Sequence, residues 1–218
     1  MTTPVVLVPG LGLGPESYAP TLEYLDAQYD VVTLPGYGER AARGVDLRTA
    51  ALAERLAVRI KESPVVLVGH SASCQIVVAA AIAHPDLAKA LVLVAPGGDL
   101  TASSWATLAS RWARSAVWDS PRLVPTLSRQ YFRTGFATMA RAMEAARHYD
   151  LAAAIPALST PTVVVRSKHD RLAPPQWAQQ IADKSHGEAW TLPTGSHQPV
   201  LTNGRELATF IRRCIQSD

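Results

Sequence analysis

Three residues that lie far apart in the sequence have the types and the order that nucleophilic catalysis requires. Ser71 lies in GHSAS at residues 69–73, which differs at one position from a G-x-S-x-G turn. Asp170 follows an apolar run, and His197 lies in a loop near the C-terminus. A serine becomes a nucleophile when a histidine removes its proton and a carboxylate orients that histidine. These residues therefore predict acyl transfer, with Ser71 as nucleophile, His197 as base and Asp170 as acid.

The surroundings of Ser71 predict a sharp turn between a strand and a helix. The residues two positions before and two positions after the serine must have small side chains, because the strand and the helix cross closely there. Gly69 meets this requirement fully and Ser73 meets it less well. A serine at the start of a helix also faces the positive end of the helix dipole, which favours a developing oxyanion.

Two aspartates compete for the role of acid. Asp170 follows the run Thr162–Val165 by a few residues, and Asp99 ends another apolar run. We favour Asp170, which lies in a strand-end loop just before Pro174 and Pro175 start another helix. The order Ser71, Asp170, His197 is the one known for this type of turn. Asp150 is interpreted as a helix N-cap.

Other reactive side chains near Ser71 have simpler interpretations. His70 precedes the serine, and adjacent side chains in such a turn point apart, so a structural role is favoured over a role as base. Cys74 is expected to be a small buried hydrophobe rather than a second nucleophile. The histidines at 84, 148, 169 and 186 lie in loop or helix-end contexts and are interpreted as solvated.

The positions of these residues depend on an alternation of strands and helices. Short β-branched runs carry almost no polar residues, as in strands that are covered on both faces. These runs are Val5–Val8, Val31–Leu34, Val65–Val68, Leu91–Val94 and Thr162–Val165, with a weaker one at Glu188–Leu192. Helical patterns lie between most of them, one behind an expected N-cap at Asp46 and one behind Asn203. The alternation predicts a doubly wound α/β fold with a mostly parallel sheet of about six strands.

One long segment interrupts this alternation. Residues 99–149 are expected to form a helical lid inserted after the fourth strand, and residues 1–98 and 150–218 the core. Ligands of open α/β sheets bind at the carboxyl ends of the strands, so we expect lid aromatic side chains to line an apolar pocket above Ser71. The candidates are Trp105, Trp112, Trp118, Phe132 and Phe136. The alternative is a helical subdomain with its own core. Lid arginines are interpreted as solvated, although one could hold a substrate carboxylate.

Composition excludes several classes of protein. The chain of 218 residues is 48% hydrophobic and 18% charged, which predicts one domain. The net charge of +3 comes from scattered arginines, so no nucleic-acid partner is indicated. Two cysteines without metal-ligand spacing predict neither a disulfide framework nor a metal site. No leader or membrane span is recognisable, so a cytoplasmic location is expected, and monomer and homodimer both remain open.

The motifs together resemble the α/β-hydrolase superfamily over essentially the whole chain. PGL at 9–11 is similar to the oxyanion loop of that family, LPGYG at 34–38 to a second loop, and GHSAS at 69–73 to its nucleophile elbow. The resemblance implies an oxyanion hole formed by the backbone N–H groups of Leu11 and Ala72, a small-molecule substrate and no cofactor. It also implies a serine hydrolase of the carboxylesterase type that acts on an ester, lactone or thioester.

The chain departs from the family pattern at three points. Pro9 stands where the family often has histidine, and the first strand begins near residue 4, so we expect six strands in the order 2-1-3-4-5-6 without an N-terminal hairpin. The third departure is Ser73, which makes the elbow resemble that of strigolactone and karrikin receptors. A ligand-sensing receptor, and a lyase or carbon–carbon bond hydrolase on the same triad, therefore remain alternatives.

Overall fold

The fold is built on a sheet of six parallel strands. The computed structural model describes residues 3–216. The strands are β1 (Val5–Val8), β2 (Tyr29–Val31), β3 (Leu34–Pro35), β4 (Gly38–Glu39), β5 (Val65–His70), β6 (Ala88–Val94), β7 (Thr162–Ser167) and β8 (Glu188–Leu192). The large sheet has the order β2-β1-β5-β6-β7-β8, and β3 pairs with β4 in a separate two-residue ladder. The predicted order 2-1-3-4-5-6 is confirmed for the six strands of the large sheet.

Helices cover both faces of this sheet. They are α1 (Ala19–Leu22), α2 (Thr49–Arg59), α3 (Ser73–Ala83), α4 (Trp105–Ala116), α5 (Val124–Thr134), α6 (Phe136–Ala146), α7 (Leu151–Ala154), α8 (Pro175–Lys184), α9 (Pro199–Thr202) and α10 (Gly204–Gln216). Successive strand residues point to opposite faces. Val6 and Val8 accordingly enter the core beneath α2, α3 and α8, whereas Val5 and Leu7 enter the core beneath α10. The doubly wound α/β prediction is therefore confirmed.

Burial on both faces explains why the central strands lack polar alternation. Every residue of β1 and of β5 is buried. β8 lies at the edge of the sheet, and three of its five residues are exposed. Its bounds, Glu188–Leu192, are those predicted from the sequence.

Two local predictions are wrong. The run Val31–Leu34 is not one strand, because only Tyr29–Val31 pairs with β1 before the chain turns into β3. Asp46 does not cap α2, whose N-cap is Arg48; the carboxylate of Asp46 instead accepts a hydrogen bond from the backbone N–H of Arg48 at 2.9 Å. The predicted cap at Asp150 is confirmed, since its side chain accepts from the N–H of Ala153 at 2.9 Å.

Residues 99–149 contain three α-helices, α4, α5 and α6, two short 3-10 helices and no strand. The buried apolar side chains of α6, Ala142 and Ala146, belong to the core between the sheet and helices α2 and α3. Polar contacts join this segment to the loop that follows β1, where Gln130 Oε1 accepts from Gly14 N at 2.7 Å and Thr134 Oγ1 donates to Gly12 O at 3.0 Å. The segment therefore packs on the sheet through a shared core.

Candidate active site

The turn between β5 and α3 presents Ser71 in a strained backbone conformation. Its φ angle is +56°, in the left-handed region that residues other than glycine rarely adopt. The N–H of Ser71 donates to Val94 O at 2.8 Å, which ties the turn to β6. A Cβ atom at Gly69 would lie 2.8 Å from Val77 Cγ2 and 3.0 Å from Cys74 Cα, so the crossing of strand and helix requires glycine there.

The structure brings the three predicted catalytic residues together. Ser71 Oγ lies 2.8 Å from His197 Nε2, and His197 Nδ1 lies 2.9 Å from Asp170 Oδ2. Asp170 is in the loop after β7 and His197 is in the loop after β8. These loops meet Ser71 because the carboxyl ends of parallel strands lie at one edge of the sheet. The arrangement has the geometry of a nucleophile, a base and an orienting acid.

The environment of Asp170 favours its ionised form. Burial, with 1% of the residue exposed, would by itself raise its pKa. His197 and the backbone N–H groups of Ala173 and Leu172 outweigh burial and hold the pKa of Asp170 below its usual range. The two N–H groups donate to Oδ1 at 3.0 and 2.8 Å, which leaves Oδ2 for the histidine. A carboxylate with these partners can fix the orientation of the imidazole.

Asp99, the other candidate acid, has different partners. Its Oδ2 accepts from Arg111 Nη1 at 2.7 Å, and its Oδ1 accepts from the N–H of Thr101 at 3.0 Å. Burial opposes ionisation of Asp99, but the hydrogen bonds from Thr101 and Arg111 lower its pKa overall. The carboxylate that contacts His197 is that of Asp170.

Two backbone N–H groups are available beside Ser71. Leu11 and Ala72 line the same cavity as the serine. Neither N–H donates a hydrogen bond to another group within residues 3–216, whereas the neighbouring N–H of Gly12 donates to Gly36 O. Unpaired N–H groups next to a nucleophile are the groups that an oxyanion hole needs.

Ser71 and His197 open into a cavity of about 420 Å³, within the range of small-molecule sites. The helices of residues 99–149 form one wall of this cavity. Its apolar lining includes Leu13, Leu108, Trp112, Tyr131, Phe136, Met139, Met143 and Leu172. The pocket predicted from the sequence did not include Leu108, Tyr131, Met139 and Met143.

The prediction that five aromatic side chains line the cavity requires correction. The structure places Trp112 and Phe136 along it, and Trp105, Trp118 and Phe132 outside it. Each of the three has other contacts. Trp105 Nε1 donates to Glu144 Oε2 at 3.0 Å, and the ring of Trp118 stacks on His169 with centroids 3.8 Å apart. Phe132 packs edge-on against Phe136 from outside, with centroids 5.6 Å apart.

The fold and site geometry agree with a comparison against known families. The profile of the alpha/beta hydrolase family matches residues 5–210. The chain belongs to this family. A hydrolase from Oleispira antarctica has a similar fold, with a TM-score of 0.82 and 18% identity over 100% of this chain and 92% of that one. An esterase from Exiguobacterium antarcticum gives a TM-score of 0.80 and 14% identity over 100% and 94% of the two chains.

One curated relative of this alpha/beta hydrolase is similar in sequence over part of the chain. It is the (E)-2-((N-methylformamido)methylene)succinate hydrolase of Acinetobacter baylyi, 29% identical over 96 residues. The match spans 42% of this chain and 36% of the relative.

The residue before Ser71, His70, contacts the backbone of the loop that carries His197. Its Nε2 lies 3.0 Å from the backbone oxygen of His197, which can only accept, so Nε2 carries the proton. Burial, helped by the nearby His197, lowers the pKa of His70 to about 3. A neutral imidazole bonded to the backbone of His197 has the structural role expected from the sequence.

Ser73 explains the departure from the G-x-S-x-G pattern. Its buried hydroxyl accepts from the N–H of His70 at 2.8 Å. The same Oγ lies 2.9 Å from Val8 O and 2.8 Å from His70 O, either of which can accept its proton. A glycine there would leave these groups without the hydroxyl that joins β1 to the turn.

Within residues 3–216 no group of three or more histidine, cysteine, aspartate or glutamate side chains could hold a metal ion. Over the same residues, no helix has the length and the apolar character needed to cross a membrane.

Proposed function

We propose that the protein is a serine hydrolase that cleaves an ester-like bond, in a carboxylic ester, a lactone or a thioester, of a small and largely apolar substrate. The observation that carries the proposal is the continuous contact from Ser71 Oγ through His197 to Asp170, at 2.8 and 2.9 Å. The cavity, with its apolar lining next to the serine, supports a small substrate. The names of the esterase and of the other hydrolases with this fold agree with the reaction class.

The proposed reaction is acyl transfer to water. His197 Nε2 takes the proton from Ser71 Oγ as the oxygen attacks the carbonyl carbon, and Asp170 stabilises the imidazolium. The N–H groups of Leu11 and Ala72 donate to the oxyanion of the tetrahedral intermediate. His197 then gives its proton to the leaving group, which leaves an acyl group on Ser71. Water repeats the sequence, and the acid product departs from a regenerated serine. Every step uses groups of this chain, and none requires a cofactor.

The test combines turnover with labelling. The protein should hydrolyse p-nitrophenyl acetate, and Ser71→Ala should remove this activity apart from residual catalysis by the oxyanion hole and by binding. A fluorophosphonate probe should add one covalent label to the wild type, detected by intact mass, and none to the variant. Turnover in Ser71→Ala equal to that of the wild type would contradict the proposal. Reaction in heavy-oxygen water should place the heavy oxygen in the acid product, which a lyase would not do.

A further inference from the structure

Two buried amide side chains interrupt the apolar lining of the cavity. Gln75, on the first turn of α3, is 1% exposed, and Gln198, next to His197, is 5% exposed. Both residues line the cavity. Among residues 3–216, neither Gln75 Oε1 nor Gln198 Oε1 has a hydrogen-bond partner. The two residues reach the cavity from different parts of the chain, one after β5 and the other after β8.

Unpaired buried amide oxygens require an explanation. Nearly all buried polar groups in folded proteins are hydrogen-bonded, because an unsatisfied acceptor keeps the full cost of leaving water. Among residues 3–216 six buried side-chain atoms lack a partner, and three of them, Gln75 Oε1, Gln198 Oε1 and His70 Nδ1, belong to residues that line the cavity of Ser71, where a substrate can supply the missing donor. Glycine at position 98 leaves room for the amide of Gln75, since a Cβ atom at Gly98 would lie 2.7 Å from Gln75 Nε2.

The charged side chains of the cavity argue against an anionic substrate. Both arginines among the lining residues are paired with carboxylates. Arg111 Nη1 lies 2.7 Å from Asp99 Oδ2, and Arg147 Nη2 lies 2.7 Å from Glu144 Oε1. A substrate carboxylate would therefore meet neutralised cations, and Asp99 would repel it. The buried side-chain atoms along the cavity that lack partners are neutral acceptors, so they match a neutral donor.

We propose that Gln75 and Gln198 set the specificity of the site by hydrogen-bonding a neutral substrate that carries hydroxyl or amide N–H groups near its ester bond. This inference rests on the proposed function, because it places those groups in the cavity of Ser71. A hydroxyl both donates and accepts, so it satisfies a glutamine amide in either orientation, whereas a methyl group satisfies neither. The substrate thus has an apolar body and one or two hydrogen-bonding groups.

Matched esters test this specificity. Ethyl 3-hydroxybutyrate and ethyl 3-methylbutyrate differ by hydroxyl against methyl on the acyl side, and 2-hydroxyethyl butyrate and propyl butyrate differ in the same way on the alcohol side. We expect kcat/KM to favour the hydroxyl member of at least one pair by about 10-fold. A compound that is not hydrolysed is measured as a competitive inhibitor of p-nitrophenyl acetate hydrolysis. Equal values within both pairs would overturn the inference.

Variants assign the preference to the two amides. Gln75→Leu and Gln198→Leu should each reduce the hydroxyl preference, and the double variant should abolish it. Gln75→Met, which keeps the length of the side chain, replaces Gln75→Leu if that variant does not fold. Gln130→Leu is the matched control, because Gln130 is buried in α5 but does not line the cavity. It should lower Tm without changing the preference. A preference that survives in the double variant would contradict the role of the glutamines.

Two further measurements separate this inference from the proposed function. Hydrolysis of p-nitrophenyl acetate that depends on Ser71, without any hydroxyl preference, would sink the inference and leave the proposed function intact. Hydrolysis that does not depend on Ser71 would sink the proposed function. Monoethyl succinate tests whether the site prefers a substrate with a negative charge. A kcat/KM for this ester about 10-fold above the values for the hydroxyl esters would overturn the assignment of a neutral substrate.

Discussion

At the scale of single residues, His197 has a separate partner for each ring nitrogen. Asp170 Oδ2 accepts the proton of Nδ1, so the lone pair of Nε2 points at Ser71 Oγ. This tautomer is the one that can act as a base. Contacts with His197 and with the backbone N–H groups of Ala173 and Leu172 hold the pKa of Asp170 below its usual range, so the acid is ionised at neutral pH.

Exchanging the two candidate acids for amides tests this assignment. Asp170→Asn should lower kcat for p-nitrophenyl acetate by on the order of 10⁴, because an asparagine N–H favours the wrong tautomer of His197. Asp99→Asn is the matched control. It loses an ion pair with Arg111 at the cavity wall and should change kcat less than about 10-fold. The reverse pattern, a large loss with Asp99→Asn only, would contradict the geometry.

His70 should make stability depend on pH. Its folded pKa of about 3 lies below the value of about 6.5 for an unfolded histidine. The unfolded chain therefore takes up a proton first, and stability that is full above pH 6.5 falls as the pH drops toward 3. The slope from this group is about 1.4 kcal/mol per pH unit.

The measurement is the free energy of unfolding in denaturant at pH 7.5 and pH 5. His70→Gln should lose less stability between these values than the wild type, by about 2 kcal/mol for a 1.5-unit interval below 6.5. His148→Gln, at an exposed side chain, should behave like the wild type. Equal losses in all three proteins would show that His70 titrates normally.

At the scale of elements, the segment 99–149 is joined to the loops that carry the acid and the base. Near the end of α4, Ser115 Oγ accepts a hydrogen bond from the backbone N–H of Arg171 at 2.9 Å. Trp118 then stacks on His169, which precedes Asp170, and Asp119 accepts a hydrogen bond from Ser196, which precedes His197. The wall of the cavity and the loops that carry Asp170 and His197 therefore have common contacts.

The aromatic side chains of this segment should divide into two groups by function. Trp112→Ala and Phe136→Ala should raise KM for bulky esters such as the hexanoate by about 10-fold with little change for the acetate, because an aromatic side chain buries roughly 150 to 250 Å². Trp105→Ala is the control outside the cavity and should leave both KM values unchanged. Equal KM values for long and short esters in every variant, with lower Tm, would assign the rings to packing alone.

This division marks the limit of what the sequence predicts. Central strands were predictable because burial on both faces imposes apolar runs, as in β5. The contact of Ser71, His197 and Asp170 was predictable because these residues follow strand ends in a known order. The faces that α4 and α5 turn to the cavity depend on tertiary contacts. Trp118 shows why the sequence does not predict these faces. Its ring lies outside the cavity and stacks on His169, about fifty positions away in the chain.

At the scale of the whole molecule, residues 99–149 contribute to the cores on both faces of the sheet. Ala142 and Ala146 pack with residues of α2, α3 and α8, and Leu127 and Tyr131 pack against the core on the other face. Arg40 adds hydrogen bonds to the backbone oxygens of Arg133 and Phe132, both at 3.0 Å. An insertion that contributes to both cores cannot lose its contacts without exposing apolar surface of the sheet.

The protein should therefore unfold in one transition. Scanning calorimetry should give a single peak with a calorimetric enthalpy equal to the van't Hoff enthalpy, and far-ultraviolet circular dichroism and tryptophan fluorescence should report the same midpoint. The fluorescence comparison is informative because three of the five tryptophans lie in residues 99–149. Ala142→Gly, which removes a buried methyl group from α6 and weakens the helix, should lower the common midpoint without separating the two signals. A fluorescence midpoint well below the circular dichroism midpoint would mean that the insertion melts on its own, and the shared core would then contribute little to holding it over Ser71.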